Sequence, residues 1–140
     1  SFVDNAVQNE DKFISEIKRV LTAVLQYRNA HIQGRYADVI LRAKKYIDRN
    51  YADPDICLHS TAEAVNFSPN HFSTIFSQEC KTTFIEYLTG IRIEHAKKLL
   101  KTTDMKSADI AYEVGFNDPH YFSFIFKKVT GVSPRDWRNT

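Results

Sequence analysis

Glycine and proline are scarce in this chain, with four of each among 140 residues. So few glycines exclude a loop-rich or disordered chain. No run of about 18 apolar residues occurs, so no segment reads as a membrane-spanning helix. No secretory leader is visible either, and the expected location is the cytoplasm. An excess of one charge is also missing: 19 Lys and Arg stand against 17 Asp and Glu, for a net +2. Bulk charge therefore gives little support to a nucleic-acid partner, although charge segregated onto one face would still serve. Cys57 and Cys80 lie far apart with no C-x-x-C spacing, so inert thiols are expected rather than a disulfide framework. His31, His59, His71, His95 and His120 show no ligand spacing, so no metal or other cofactor is expected. A G-x-S-x-G nucleophile setting and a Gly-rich phosphate loop are both lacking, and an enzyme is not expected. The only methionine is Met105 and the chain starts at Ser1, which reads as a piece of a longer protein.

What the chain does have is helical periodicity. It is 43% hydrophobic, enough for a real core, and its apolar residues recur at helical spacing nearly throughout, with no convincing strand. The expected fold class is all-α.

One pattern is written twice. Pro69-Asn70-His71-Phe72-Ser73-Thr74-Ile75-Phe76 recurs fifty positions later as Pro119-His120-Tyr121-Phe122-Ser123-Phe124-Ile125-Phe126, with five of eight residues identical. Apolar residues at i, i+3 and i+4 with small polar residues between them predict a short amphipathic helix, used twice. The parallel extends upstream, where Ala62-x-x-Val65-Asn66-Phe67 matches Ala111-x-x-Val114-Gly115-Phe116. Asn66 and Gly115 share the turn position, and Asn and Gly are the residues that most readily take a positive φ. Downstream, Glu86 and Tyr87 match Asp136 and Trp137. Each copy predicts a short helix, a tight turn and a longer helix, which is a helix-turn-helix unit. Unit one covers residues 58–80 and unit two residues 107–130, both approximate.

Helix-start chemistry fills in the rest. Ser68 and Asp118 precede Pro69 and Pro119 as cap plus first-position proline. Thr83-x-x-Glu86 is a capping box opening a linker helix over about residues 83–101, with Gly90 inside it as a site of close packing or a slight bend. Ser133-Pro134 starts a final turn carrying Trp137. Before the repeat, a helix over Tyr36 to Asn50 turns Val39, Ile40, Ala43, Tyr46 and Ile47 inward, and Asp53-Pro54-Asp55 makes a turn. The leading residues 1–35 form a helical connector. Within it, about Glu10 to Arg28 carries an apolar stripe of Phe13, Ile17, Val20, Val24 and Tyr27, widened by Ile14, Leu21 and Leu25, and Gly34 marks the join. That extra amphipathic helix has three candidate partners: the same domain, a second copy (a homodimer through residues 10–28), or an upstream domain. Self-pairing is the favoured one.

With Phe and Ile turned to the core, helical arithmetic leaves Asn70, Ser73, Thr74 and Ser77 on the opposite face of the first copy. In the second copy it leaves His120, Ser123, Phe124 and Lys127. A helix fits the major groove, where Asn can bond adenine in bidentate fashion, Ser and Thr donate or accept, and an apolar side chain meets a thymine methyl. A linker of about 19 residues spans roughly 28 Å, comparable with one turn of B-DNA at about 34 Å. Two reading helices could then enter successive major grooves. Helix N-termini near His59-Ser60, Lys106-Ser107 and Ser133-Pro134-Arg135, together with Lys127 and Lys128, are candidate phosphate contacts. His71 and Tyr121 sit at the edge of the reading faces, and with Ser77 they are further candidates for backbone contact. The alternative is a helical protein-interaction module without DNA contact.

Several motifs resemble the AraC/XylS family of bacterial transcription regulators. They are Tyr46-Ile47-x-x-Asn50-Tyr51, Arg92-Ile93-x-x-Ala96-x-x-Leu99-Leu100, Ile110-Ala111-x-x-Val114-Gly115-Phe116, and Tyr121-Phe122-Ser123-x-Ile125-Phe126-Lys127-Lys128-x-x-Gly131-x-Ser133-Pro134. The likeness covers about Tyr36 to Arg138. It implies two helix-turn-helix subdomains joined by a long helix in a DNA-binding domain at 36–140, with double-stranded operator DNA and RNA polymerase as partners. It carries base reading onto Asn70, Ser73, Thr74, His120, Ser123 and Phe124. Departures are Thr74 and Phe124 where Arg is common, Lys81 for a common glycine, Cys57 for a capping serine and Thr61 for an aliphatic. They imply a less stable first unit or an unusual specificity. The leading segment resembles the connector of response-regulator-like members.

Overall fold

The computed structural model describes the backbone of residues 2–140 and the side chains of residues 7–26 and 36–140. Among the described residues there are seven helices and no strand. The chain divides into two compact units, Ser1–Asp38 and Val39–Thr140.

Helix α1 spans Phe2–Asn50 and is shared by both units. The sequence predicts two helices here with a join at Gly34, and the structure corrects this: the helical backbone runs through that position. A single glycine costs a helix interior about 1 kcal/mol, less than its neighbours lose by breaking their ladder of hydrogen bonds, and no proline is present to force a break. The side chains of Tyr27, His31 and Gly34 lie outside the described ones. In the first unit, every described side chain from residue 7 to residue 26 is exposed.

In the second unit the last turns of α1 bury Val39, Ile40, Ala43 and Ile47 and half-bury Tyr46. An Asx turn follows, with the Asp55 N–H donating to the Asp53 carboxylate at 2.9 Å. Helices α2 (Leu58–Ala64) and α3 (Pro69–Cys80) form the first helix-turn-helix unit. Helix α4 (Phe84–Thr102) links it to the second unit, α5 (Ser107–Glu113) and α6 (Pro119–Thr130), and α7 (Pro134–Asn139) packs on α4 and α6. The starts follow the sequence chemistry. Ser68, Thr83, Asp118 and Ser133 each accept a backbone N–H as N-caps, and Thr83 and Glu86 complete a reciprocal capping box.

The sequence repeat is also a repeat of packing. Phe72 and Phe76 have ring centroids 5.6 Å apart, and Phe122 and Phe126 have theirs 5.7 Å apart. Phe76 meets Tyr87 edge-on at 5.4 Å, and Phe126 meets Trp137 edge-on at 6.1 Å. Phe72, Phe76, Phe122 and Phe126 are fully buried. Each contributes about 1.5–3 kcal/mol of burial, with edge-to-face geometry adding to it. The second core is closed by Ile93, Ala96 and Leu100 of α4 beneath Ile110, Ala111 and Val114.

Gly90 is neither a close-packing site nor a contact: a Cβ there would meet nothing within 4 Å. The sequence could not tell a packing glycine from an incidental one, since both look alike without neighbours.

Candidate nucleic-acid interface

Each turn between paired helices uses the positive-φ residue expected of it. Asn66 has φ 61° and Gly115 has φ 105°. After each turn the chain re-enters a helix over a hydrogen bond back to the preceding one, Phe67 N–H to Ala62 carbonyl at 3.0 Å and Phe116 N–H to Ala111 carbonyl at 2.9 Å. The longer helix of each unit thereby turns Phe72, Ile75 and Phe76, or Phe122, Ile125 and Phe126, inward, and its other face is left to solvent.

On α3, Asn70 and Thr74 are exposed and Ser73 and Ser77 half-buried. The Thr74 hydroxyl donates to the Asn70 carbonyl at 3.1 Å, so its methyl and its lone pairs are what remain for a partner. On α6, His120 is exposed, Ser123 half-buried, and Phe124 64% exposed, a large apolar area for a side chain with no core role. The same face continues into the exposed Gln78 on α3 and the exposed Lys127 and Lys128 on α6. The sequence reading did not single out Gln78, which its spacing of four from Thr74 places on this face. His71 and Tyr121, at the edges, are both exposed and lie beside Phe67 and Phe116 in matching positions, at 5.1 and 6.2 Å.

The helix starts differ in what they leave open. Ser60 is engaged with Cys57 in a capping box: its hydroxyl accepts from the Cys57 N–H at 3.1 Å and its own N–H donates to the Cys57 sulfur at 3.4 Å. His59 beside it is exposed. At α5, by contrast, Lys106 provides no side-chain cap, so the first-turn N–H groups near Ser107 keep no local acceptor from it. Arg135 is exposed in the first turn of α7, where Ser133 is the cap. Hydrogen bonds from the Ser60 backbone and hydroxyl lower the Cys57 thiol from its ordinary value, whereas burial raises that of Cys80.

Two arginines whose roles the sequence did not reveal fasten the linker helix to its neighbours. Arg92 on α4 donates from Nε to the Tyr51 carbonyl at 2.8 Å and from Nη2 to the Asp53 carbonyl at 3.0 Å. Its guanidinium carbon lies 5.5 Å from the Phe116 ring centroid, so one side chain joins the turn after α1, the linker helix and the second unit. Burial pushes its proton affinity down, opposed by Asp53, yet a guanidinium stays charged in a protein. At the C-terminal end of α4, Arg138 donates to the carbonyls of Leu100 and Met105 and fastens α7. The Leu100 carbonyl belongs to the last turn of α4, whereas those of Tyr51, Asp53 and Met105 lie in the connections between helices.

Two helix-turn-helix units with one packing scheme, spliced by a shared helix that Arg92 and Arg138 brace, define a tandem helix-turn-helix protein. The helix-turn-helix domain family matches residues 61–140. The chain belongs to the AraC/XylS family of transcription regulators. The arabinose operon regulatory protein of Escherichia coli (strain K12) is 32% identical over 139 residues, covering 96% of this chain and 48% of that protein. The chain thus spans about half the length of this relative. The C-terminal domain of AraT, a response regulator from Geobacillus stearothermophilus, is 42% identical with a TM-score of 0.70, over 72% of this chain and 84% of that one. The DNA-binding domain of AdpA, solved in complex with a target DNA, shares the fold at 20% identity and a TM-score of 0.68, over 71% of this chain and 89% of that one.

Proposed function

We propose that residues 36–140 bind double-stranded operator DNA sequence-specifically and regulate transcription, with α3 and α6 in successive major grooves. The observation that carries this reading is the pair of outward faces on α3 and α6. Each lies over the same buried aromatic arrangement, and α4, with its 19 residues, is a spacer of about 28 Å between them. Asn70, Ser73 and Thr74 read bases in one half-site, and His120, Ser123 and Phe124 in the other. Phe124 gains a thymine methyl in exchange for water. His59, Ser60, His71, Ser77, Lys106, Ser107, Tyr121, Lys127, Lys128 and Arg135 serve the phosphate backbone. Ser60 does so through its position beside the α2 start, since its hydrogen-bonding groups are engaged. The role is non-enzymatic and needs no cofactor. RNA polymerase and a second copy of the chain, through residues 10–28, are its protein partners.

The experiment is selection of a target from random duplexes, followed by binding of variants to the selected and to a random sequence at several salt concentrations. Asn70→Ala and Ser123→Ala each lose about 1–3 kcal/mol on the selected sequence alone. Phe124→Ala relaxes preference for thymine at one position. Lys127→Ala weakens both duplexes alike and reduces the salt slope by about 1. Binding that does not tighten as salt falls, or no enriched sequence, refutes the reading and favours a protein-interaction module.

A further inference from the structure

Helix α4 is built into two cores. Its first half serves the first helix-turn-helix unit, where Phe84 meets Phe72 and Phe76 at 6.4 and 6.2 Å. Its second half serves the other unit through Ile93, Ala96 and Leu100. One turn lies between them, from Thr89 to Arg92, and its four residues are all half-buried. Gly90, the weakest helix former of the four, sits in that turn with open space around it. Beside the turn, a groove of about 420 Å³ lies between Ile56 and Ile85 on one side and Asn117, Asp118 and Tyr121 on the other.

One cluster bridges the two units at this turn. Tyr51, in the connection between α1 and α2, packs against the second core. Its ring stacks on His95 of α4, with centroids 4.1 Å apart and planes 6° from parallel. Its carbonyl accepts from Arg92, which also reaches the Asp53 carbonyl and lies over the Phe116 ring. Gly115 closes on the same carbonyl so tightly that a Cβ would stand 2.5 Å from it. The chain that leads into the first unit is thus anchored in the second, beside the one turn of α4 that neither core holds.

We infer that the joint of Tyr51, Arg92 and Gly115 fixes the angle between α3 and α6, and that Arg92 is thereby the positioning residue for the spacing of the two half-sites. This deepens the operator reading above and rests on it for the effect on DNA. The lever is short but sufficient. From the middle of α4 to either end is about 14 Å. A bend of about 14° there carries a reading helix by about 3.4 Å, one base-pair step. One added base pair also turns the second half-site by about 35° around the duplex axis. A joint that holds can follow neither change, and a joint without its forked donor yields to both. Arg92 acts through α4 and the second turn, not on a base.

Two measurements on the full chain test this. The first needs no DNA. In a background with Cys57→Ser and Cys80→Ser, spin labels on Gln78→Cys and Lys128→Cys occupy equivalent exposed positions of α3 and α6. Pulsed electron paramagnetic resonance reads the distance between them, with labelled chains diluted into unlabelled ones. The parent gives one narrow distribution. Arg92→Gln and Arg92→Met widen or shift it, and Arg92→Lys, which can reach only one of the two carbonyls, falls between. The second measurement uses duplexes selected by the unlabelled parent, lengthened or shortened by one base pair between the half-sites. The parent loses at least about tenfold in affinity on each change, whereas Arg92→Gln binds the selected duplex more weakly but loses no more than about threefold. An arginine with a structural role alone would weaken every spacing by the same factor. Melting followed by Trp137 fluorescence identifies the folded variants, and Tyr51→Leu, which removes the stack on His95, carries the same test where an Arg92 variant does not fold. Folded variants with the parent's distance distribution overturn the joint. A widened distribution with the parent's spacing preference overturns the positioning role. A parent that selects no duplex refutes the operator reading instead, and the distance measurement still decides the joint.

Discussion

Replacing Gly115 by alanine tests whether the second turn and the Arg92 brace are one structure. Gly115 has φ 105°, which a side chain tolerates poorly, at a cost of about 1–3 kcal/mol. Space is the larger difficulty. The added Cβ would stand 2.5 Å from the Tyr51 carbonyl oxygen and 2.9 Å from Arg92 Nε, the two atoms that share a hydrogen bond of 2.8 Å. The carbonyl is backbone and cannot swing aside like a side-chain tip, so the bond must open. A hydrogen bond to a charged group is worth about 1.5–3 kcal/mol. The expected loss is therefore about 3–5 kcal/mol, a large part of the stability of a domain this size. Gly131→Ala is the control: its φ is 86°, but nothing lies within 4 Å of the new Cβ. It should lose only about 1–2 kcal/mol. Urea denaturation followed by Trp137 fluorescence reads both variants through the same core. Equal losses would refute the clash argument and leave backbone strain as the whole effect.

Three further outcomes follow from local structure. Lys81 ends α3 with φ 57°, where α6 ends in Gly131, so Lys81→Gly should stabilise the domain by about 0.5–1 kcal/mol, read as a raised denaturation midpoint. Gly90→Ala should stabilise by about 1 kcal/mol, since the helix gains propensity and the methyl meets open space; a loss there would reveal an undetected contact. The lowered thiol of exposed Cys57 holds more thiolate at neutral pH than the raised thiol of Cys80, so iodoacetamide should modify Cys57 first, shown by peptide mass mapping. Because the Cys57 sulfur is the cap acceptor for Ser60 N–H, the alkylated protein should also melt earlier, and unchanged melting would deny the cap its role.

The repeat was legible because it is local twice over. Helical period, cap residues and the turn residues Asn66 and Gly115 act within a few positions of one another, so the sequence marks α2 to α7 closely. Even the pairing of Tyr87 with Trp137 across fifty positions was readable, since each meets the matching phenylalanine at similar distance and angle. The continuity of α1 was misread because a glycine's cost in a helix depends on the strength of its neighbours' hydrogen bonds, which residue identity does not state. Arg92 was visible as part of a motif but mute about its role. Its partners are carbonyls some forty residues away, and backbone acceptors leave no mark in a sequence. Ser60 shows the converse: it looked free as a helix-start residue, and only the geometry shows it occupied by Cys57.

The two heads are unequally built. The second closes its turns with Gly115 and Gly131 and caps α6 with Asp118. The first holds Asn66 and Lys81 at positive φ and leans on a sulfur acceptor at α2. Strain of that kind lowers the free energy of local opening. The cost is local to the C-terminal ends of α2 and α3, because the cores beneath both units are equally closed by buried phenylalanines. Each such end is a place where the backbone gives before the core does.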